Sequence, residues 1–419
     1  MEQMPQMNVR VILISALALA LGVPLGAQVV LPQVGPQVGV PDLRGTLQPV
    51  TGAIEATTQD ATRTVQRLAG DRLRTIDRLV RRNQDIIERD ARGDPARRGE
   101  ILVMDATPEQ LALARTAGFA ELGSETIDGL ELTVVRLRPP VGMDLAAAEQ
   151  AIARLLPTAT IAPDNLHFQS GSPIVAPVVA TASTPRLAAR GAPVGMIDGA
   201  PGPSVAVART RGFADGAPHA SNHGSAVASL LSSVGASTIH VADVYGTDKA
   251  GGGALAIARG LGWLVDEGSR VVTISLVGPK NAVLERAISS AQGKGVVVVA
   301  AVGNDGPAAP PAYPASYSGV VAVTAVDRRR QVLIEAGRAL HLDYAAPGAD
   351  IHGLDARGRR VALRGTSYAT PLVAARIAVA IGGGMNWRVA VDAEAIDLGP
   401  RGHDAIFGRG LVCATCRGR

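Results

Sequence analysis

A chain of 419 residues is long enough for a full α/β domain together with one or two smaller pieces. Hydrophobic residues make up 47% and charged residues 19%, a balance that excludes a disordered chain and calls for a sizeable core. The formal net charge of +4 is unevenly spread: residues 62–98 carry 11 Arg and 6 acids, 99–169 carry 4 Arg and 10 acids, and 190–419 carry 23 Lys/Arg and 17 acids. An acidic segment between two basic ones favours internal pairing, and no nucleic-acid partner is expected.

Arg10 precedes an apolar run from Val11 to Leu25, followed by Gly26-Ala27-Gln28. The pattern predicts a Sec-type signal peptide over 1–27, and hence an exported protein, periplasmic or secreted. Gly22 and Pro24 interrupt the run and leave it short for a membrane span; a signal anchor is the competing reading. Residues 28–98 are expected to hold a Pro/Gly-rich linker and then a basic amphipathic helix to about Arg92, ended by Gly93-Asp94-Pro95. Its apolar positions (Leu68, Ile76, Leu79, Val80, Ile87) recur near helical spacing. Residues 50–92 could therefore meet a helix partner or an anionic envelope surface, or form a solvated charged helix with no partner.

Residues 99–169 read as a small α+β unit. Glu100 to Met104 is a predicted strand, and Thr107-Pro108-Glu109-Gln110 combines an N-cap, a proline in the first turn and a capping-box Gln. Leu130, Leu132 and Val134 alternate as on a half-buried strand, Asp144 opens a second helix, and Thr160 to Phe168 is a last strand. Residues 170–189, rich in Pro, Ala, Ser and Thr, read as an exposed processing linker. In an exported chain the two cysteines, Cys413 and Cys416, favour a local disulfide over a metal site.

Beyond residue 190 the prediction is α/β: a doubly wound parallel sheet flanked by helices. Strands at Val194–Ile197, Thr238–Val244, Val271–Leu276, Gly295–Ala301 and Val320–Val326 are continuous Val/Ile/Ala runs, as in sheets covered on both faces. Ligands of such sheets bind at the carboxyl ends of the strands. Four polar residues fall at strand ends or helix starts: Asp198, His223, Asn304 and Ser367. Ser367 lies in Gly365-Thr366-Ser367-Tyr368-Ala369-Thr370-Pro371, where Thr366 is the expected helix cap. A serine in a first helical turn can attack a carbonyl beside a backbone donor.

With intervals of 25, 81 and 63 residues between Asp198, His223, Asn304 and Ser367, the chain resembles the subtilisin-like serine proteases, the subtilases, over about 190–415. The Asp, His, Ser order differs from that of α/β-hydrolases. The Gly-Thr-Ser-x-Ala-x-Pro stretch is the most specific mark. The resemblance implies a serine endopeptidase in which Asp198, His223 and Ser367 are catalytic and Asn304 serves the oxyanion. It implies a subtilisin-like catalytic domain over 190–419 and a propeptide over 99–169, an own-chain partner cut away by self-processing. Polypeptide substrates would lie along Ser275, Leu276 and Val277 on one side and Ala301, Val302 and Gly303 on the other, with Ala312 near the side-chain pocket.

Departures from the family pattern matter too. Val277 and Ala312 stand where glycine is usual, and Val302 adds bulk, so a small or medium apolar side chain is expected before the cut bond. Gly199 follows Asp198 in place of the common Ser/Thr, and His223-Gly224-Ser225 lacks the usual Thr. Tyr313-Pro314 is an expected cis bond by resemblance. Calcium enters only through the resemblance, since no acidic cluster has calcium-ligand spacing. The competing functional class is a degenerate subtilase acting as an envelope binding module.

Overall fold

The computed structural model describes residues 63–64, 66–169, 172–177 and 191–416. The expected signal peptide, most of the linker after it and residues 178–190 lie outside the described residues. Helix α1 runs to residue 82 and strand β1 is Ile87–Arg89, so the helix stops ten residues short of its predicted end. Asn83 bonds back to the Leu79 carbonyl at 2.9 Å, and Ile87 turns into a buried cluster with Leu166 and Ala250.

The small unit then proceeds through β2 (Pro95–Met104), α2 (Pro108–Thr116), β3 (Ala120–Ile127), β4 (Leu132–Arg138), α3 (Leu145–Leu155) and β5 (Thr160–Asn165). Strand β2 pairs antiparallel with β1, β4 and β5, and β3 pairs with β4. The Thr107/Gln110 capping box is formed, and Asp144 caps α3 through the Ala147 N–H at 2.8 Å. Successive β2 side chains point to opposite faces. Ile101 and Val103 pack under α3 with Ile152, while Leu102 and Met104 join a second core shared with the larger domain. The sheet starts at Ile87 rather than 99, and β3 is an element that the sequence pattern does not announce.

Two short strands follow, β6 (Phe168–Gln169) and β7 (Ser172–Pro177); β7 lies in what reads from sequence as exposed linker. The larger domain contains β8 (Val194–Asp198), β9 (Arg209–Gly212), α4 (Asn222–Ser233), β10 (Ile239–Asp243), α5 (Ala254–Asp266), β11 (Val271–Ile274), β12 (Leu276–Val277) and α6 (Ala282–Gly293). It continues with β13 (Val297–Ala301), β14 (Val321–Val326), β15 (Tyr344–Pro347), β16 (Ile351–Leu354), β17 (Arg360–Arg364), α7 (Thr366–Gly382) and α8 (Trp387–Glu394). Seven strands form one parallel sheet in the order β15-β14-β13-β11-β8-β10-β9. Helices α4 and α7 contribute to the core on one face, α5 and α6 to that on the other.

The small unit docks on α5 and α6. The Asp164 carboxylate accepts the Leu255 N–H at 3.0 Å, supplying the cap that Gly253 cannot. Asn281, which caps α6, also donates to the Pro163 carbonyl and to Asn165. Around this buried seam Glu125 meets Arg259, and Glu131 meets Lys294 at 2.7 Å, so part of the opposite charge read from the sequence is paired here. Cys413 and Cys416 form a disulfide, and Tyr313-Pro314 is cis, both as expected; Ala217-Pro218 is also cis.

Candidate active site

Asp198 ends the interior strand β8 and is fully buried. Its carboxylate accepts His223 Nδ1 at 2.8 Å through Oδ2 and at 3.0 Å through Oδ1. The Gly199 N–H also donates to Oδ1, at 2.7 Å. Nδ1 must carry a proton to make these bonds, which leaves Nε2 as the basic nitrogen of the neutral ring. His223 is held at the start of α4 because Ser221 caps that helix, its Oγ accepting the Gly224 N–H at 2.9 Å. The Tyr368 ring lies 5.5 Å from the imidazole, and burial together with the Asp198 charge pushes its hydroxyl above the ordinary range.

Ser367 is the second residue of α7. Pro371 has no N–H, so the Ser367 carbonyl loses its helical partner four residues on. Ser275 Oγ fills that place at 2.9 Å, and Ser367 Oγ in turn donates to the Ser275 carbonyl at 3.1 Å. A proline inside the helix thus ties the candidate nucleophile to the strand beside it. His223 Nε2 is buried without a hydrogen-bond partner, and the Ser367 hydroxyl is bonded to the Ser275 carbonyl, so hydroxyl and imidazole are not bonded to one another. Thr366 is not the helix cap. Gly365, at φ +141°, occupies that position, and Asn304 Oδ1 accepts the Thr366 N–H at 3.0 Å. This bond fixes the Asn304 amide plane, so its NH2 end is the group that can serve an oxyanion.

The chain's own segment 166–169 occupies the cleft beside these residues. Strand β6 runs antiparallel to β12, with Gln169 opposite Leu276 and Phe168 opposite Val277. On the other side the His167 N–H donates to the Gly252 carbonyl at 2.8 Å, and Leu166 bridges Gly253. The His167 ring lies against Gly278, where a Cβ would fall 2.5 Å from it, and the Tyr245 hydroxyl donates to the His167 carbonyl at 2.7 Å. Burial lowers the His167 pKa to about 4 and raises that of Asp164 to about 6. Downstream, β7 pairs antiparallel with β17, Ser172 opposite Arg364, three residues before Ser367.

A cavity of about 890 Å³ remains between this site and α1, bordered by Leu68, Ile76, Val277, Asn304 and Tyr313. Arg72 pairs with Asp305 at 3.2 Å, and Leu68 lies against Gly306. Leu68 and Ile76 of α1 thus face this chain's own cleft, while Leu73 is exposed. Leu276 and Val277 pair with the occupying strand β6. Ala301 and Val302 are buried, and Val302 borders the cavity together with Gly303. Val277 and Ala312 do the narrowing: both come within 4 Å of where a Cβ on Gly303 would stand. Tyr245 and α1 were not expected at the site. Their placement depends on register between segments far apart in sequence. Among the described residues no group of three or more His, Cys, Asp or Glu is arranged to hold a metal, so the side chains present do not fit a carboxylate-built calcium centre.

The chain matches the subtilase family over residues 204–395, a span that includes His223, Asn304 and Ser367 and begins just after Asp198. Subtilisin BL from Lederbergia lenta is 34% identical over 218 residues, 49% of this chain and 79% of that one. Subtilisin Savinase from the same organism is 32% identical over 217 residues, again 79% of its length. The structure also superposes on fervidolysin from Fervidobacterium pennivorans, a keratinolytic enzyme related to subtilisin, with a TM-score of 0.62 at 19% identity; it covers 77% of this chain and 61% of that one. The protein belongs to the subtilase family and is a serine-type endopeptidase of subtilisin-like fold.

Proposed function

We propose that the chain is an exported zymogen whose first substrate is itself. Residues 1–27 would direct export. Asp198, His223, Ser367 and Asn304 would then hydrolyse peptide bonds, and residues 87–169 would serve as the propeptide. The observation that carries this reading is the path of the chain through the cleft, with β6 on β12 before Ser367 and β7 on β17 after it. Gln169 lies opposite Leu276 and Ser172 opposite Arg364, and on this reading the bond cut would be Ser170–Gly171, between them. Both residues are small, in keeping with the constriction at Val277 and Ala312.

In this mechanism His223 Nε2 takes the Ser367 Oγ proton as the oxygen attacks the Ser170 carbonyl carbon. Asp198 holds the ring in the required tautomer and stabilises the imidazolium. The Asn304 amide and the Ser367 N–H receive the oxyanion. The proton passes to the leaving nitrogen of Gly171, and water entering by the same base releases the acyl group. No observation favours the degenerate-module reading. The test is to express residues 28–419 beside Ser367→Ala and follow chain mass over time. Wild type should yield fragments ending at Ser170 and beginning at Gly171, and the variant should stay whole. If both stay whole and neither reacts with a fluorophosphonate, the reading fails.

A further inference from the structure

One donor to Asp198 belongs to the occupying segment rather than to the frame of the site. Gln169 Nε2 donates to Asp198 Oδ1 at 2.9 Å. Residue 199 beside this amide is glycine, and it is Ser221 that a larger residue there would meet. A Cβ there would lie 2.5 Å from Ser221 Oγ, 2.9 Å from Ser221 Cβ and 3.5 Å from Gln169 Nε2. Position 199 therefore brings only its backbone N–H to the carboxylate. Ser221 Oγ, next to it, is already bonded to the Gly224 N–H. Two oxygens of a carboxylate offer about four acceptor sites. The shorter His223 bond goes to Oδ2, and the Gly199 N–H and the incoming side chain share Oδ1.

The strand pairing makes the contact a property of the cleft rather than of one rotamer. Gln169 is fixed opposite Leu276 by the β12 ladder, so any peptide docked in the same register places its corresponding side chain beside Asp198. That side chain meets a buried negative charge. A carboxamide of glutamine length donates to it, a thioether or alkyl chain leaves it unsatisfied, and a carboxylate repels it. Building on the proteolytic role proposed above, we infer that Asp198 is also a specificity determinant, selecting glutamine as the second residue before the cut bond. One carboxylate would then both orient His223 and recognise the substrate.

The test uses full-length chain that has completed its own processing, labelled in parallel with a fluorophosphonate to count active sites. Three peptides copying residues 164–175 carry Gln, Met or Glu at the position of Gln169, and kcat/KM is measured for each. The Gln peptide should be cleaved best, the near-isosteric Met peptide at least about tenfold less well, and the Glu peptide least. Because one enzyme preparation serves all three, folding cannot account for a difference. Values for Gln and Met within twofold of each other on labelled enzyme overturn the inference and leave the protease reading standing. No cleavage of any peptide with no labelling overturns both.

Discussion

Gly199→Ala tests how the geometry around Asp198 is kept. The new methyl carbon would stand 2.5 Å from Ser221 Oγ and 2.9 Å from Ser221 Cβ, so Ser221 must move. Ser221 caps α4, and His223 sits two residues along the same turn. Loss of a serine cap costs about 0.5–2 kcal/mol. Forcing one carbon into a packed site costs about 1–3 kcal/mol. Together a loss of about 2–4 kcal/mol is expected, with slower self-cleavage as His223 shifts from Asp198. Ser221→Gly should cost only a few tenths of a kcal/mol, since glycine is tolerated at a cap, and it removes the atoms the methyl meets. The double variant should therefore recover most of the loss. Urea unfolding in a Ser367→Ala background, where no cleavage intervenes, gives all four corners of the cycle. Additivity within about 0.5 kcal/mol would show that the two sites do not touch and would refute the reasoning.

Asn304→Leu removes the proposed oxyanion donor and the Oδ1 that accepts the Thr366 N–H; turnover on a peptide substrate should fall about 100- to 1,000-fold, and a loss under tenfold would count against the assignment. Val277→Gly should widen the cleft opposite Ala312 and raise the preference for phenylalanine over alanine before the cut bond about tenfold, read as a ratio of kcat/KM values. His167 is held near 4 against an ordinary 6.5, so its contribution is complete above 6.5 and is lost as pH falls toward 4, by up to about 3 kcal/mol. Asp164, raised from 3.8 to about 6, has the opposite sign: its contribution is present at acid pH and lost as pH rises through 6. Asp164→Asn should therefore steepen the fall in urea midpoint of the Ser367→Ala chain between pH 6.5 and 4, and an unchanged slope would contradict this balance.

The parallel sheet was readable because its strands are unbroken Val/Ile/Ala runs and the polar residues of interest stand at their ends. Strand β3 was not readable: only Ile127 among its eight residues is buried, so there is no alternation to see. Strand β1 hides inside a charged stretch that reads as more helix. At α7 the residue type was right and the role wrong, since Thr366 has the chemistry of a cap but the acceptor comes from Asn304, 62 residues away. Gln169 carries no signal of its own. Its meaning arises only when β6 meets β12 in one particular register, which is a property of the fold and not of any window of sequence.

Strand β7 is the outer member of a three-stranded sheet with β17 and β16. On the proposed reading, cutting the chain between β6 and β7 does not part the two new ends. Each stays hydrogen-bonded to its own rail, and the fresh amine is held next to the acyl group it has just left, at an effective concentration that dilute solution cannot match. Cleavage and resealing would then compete, and the peptide bond could break and re-form repeatedly while both strands remain in place. The committing event is the departure of β7 from β17, which lets water reach the acyl-enzyme ahead of the amine. The rate of activation would be set by the hold of one edge strand, and not by the chemistry at Ser367.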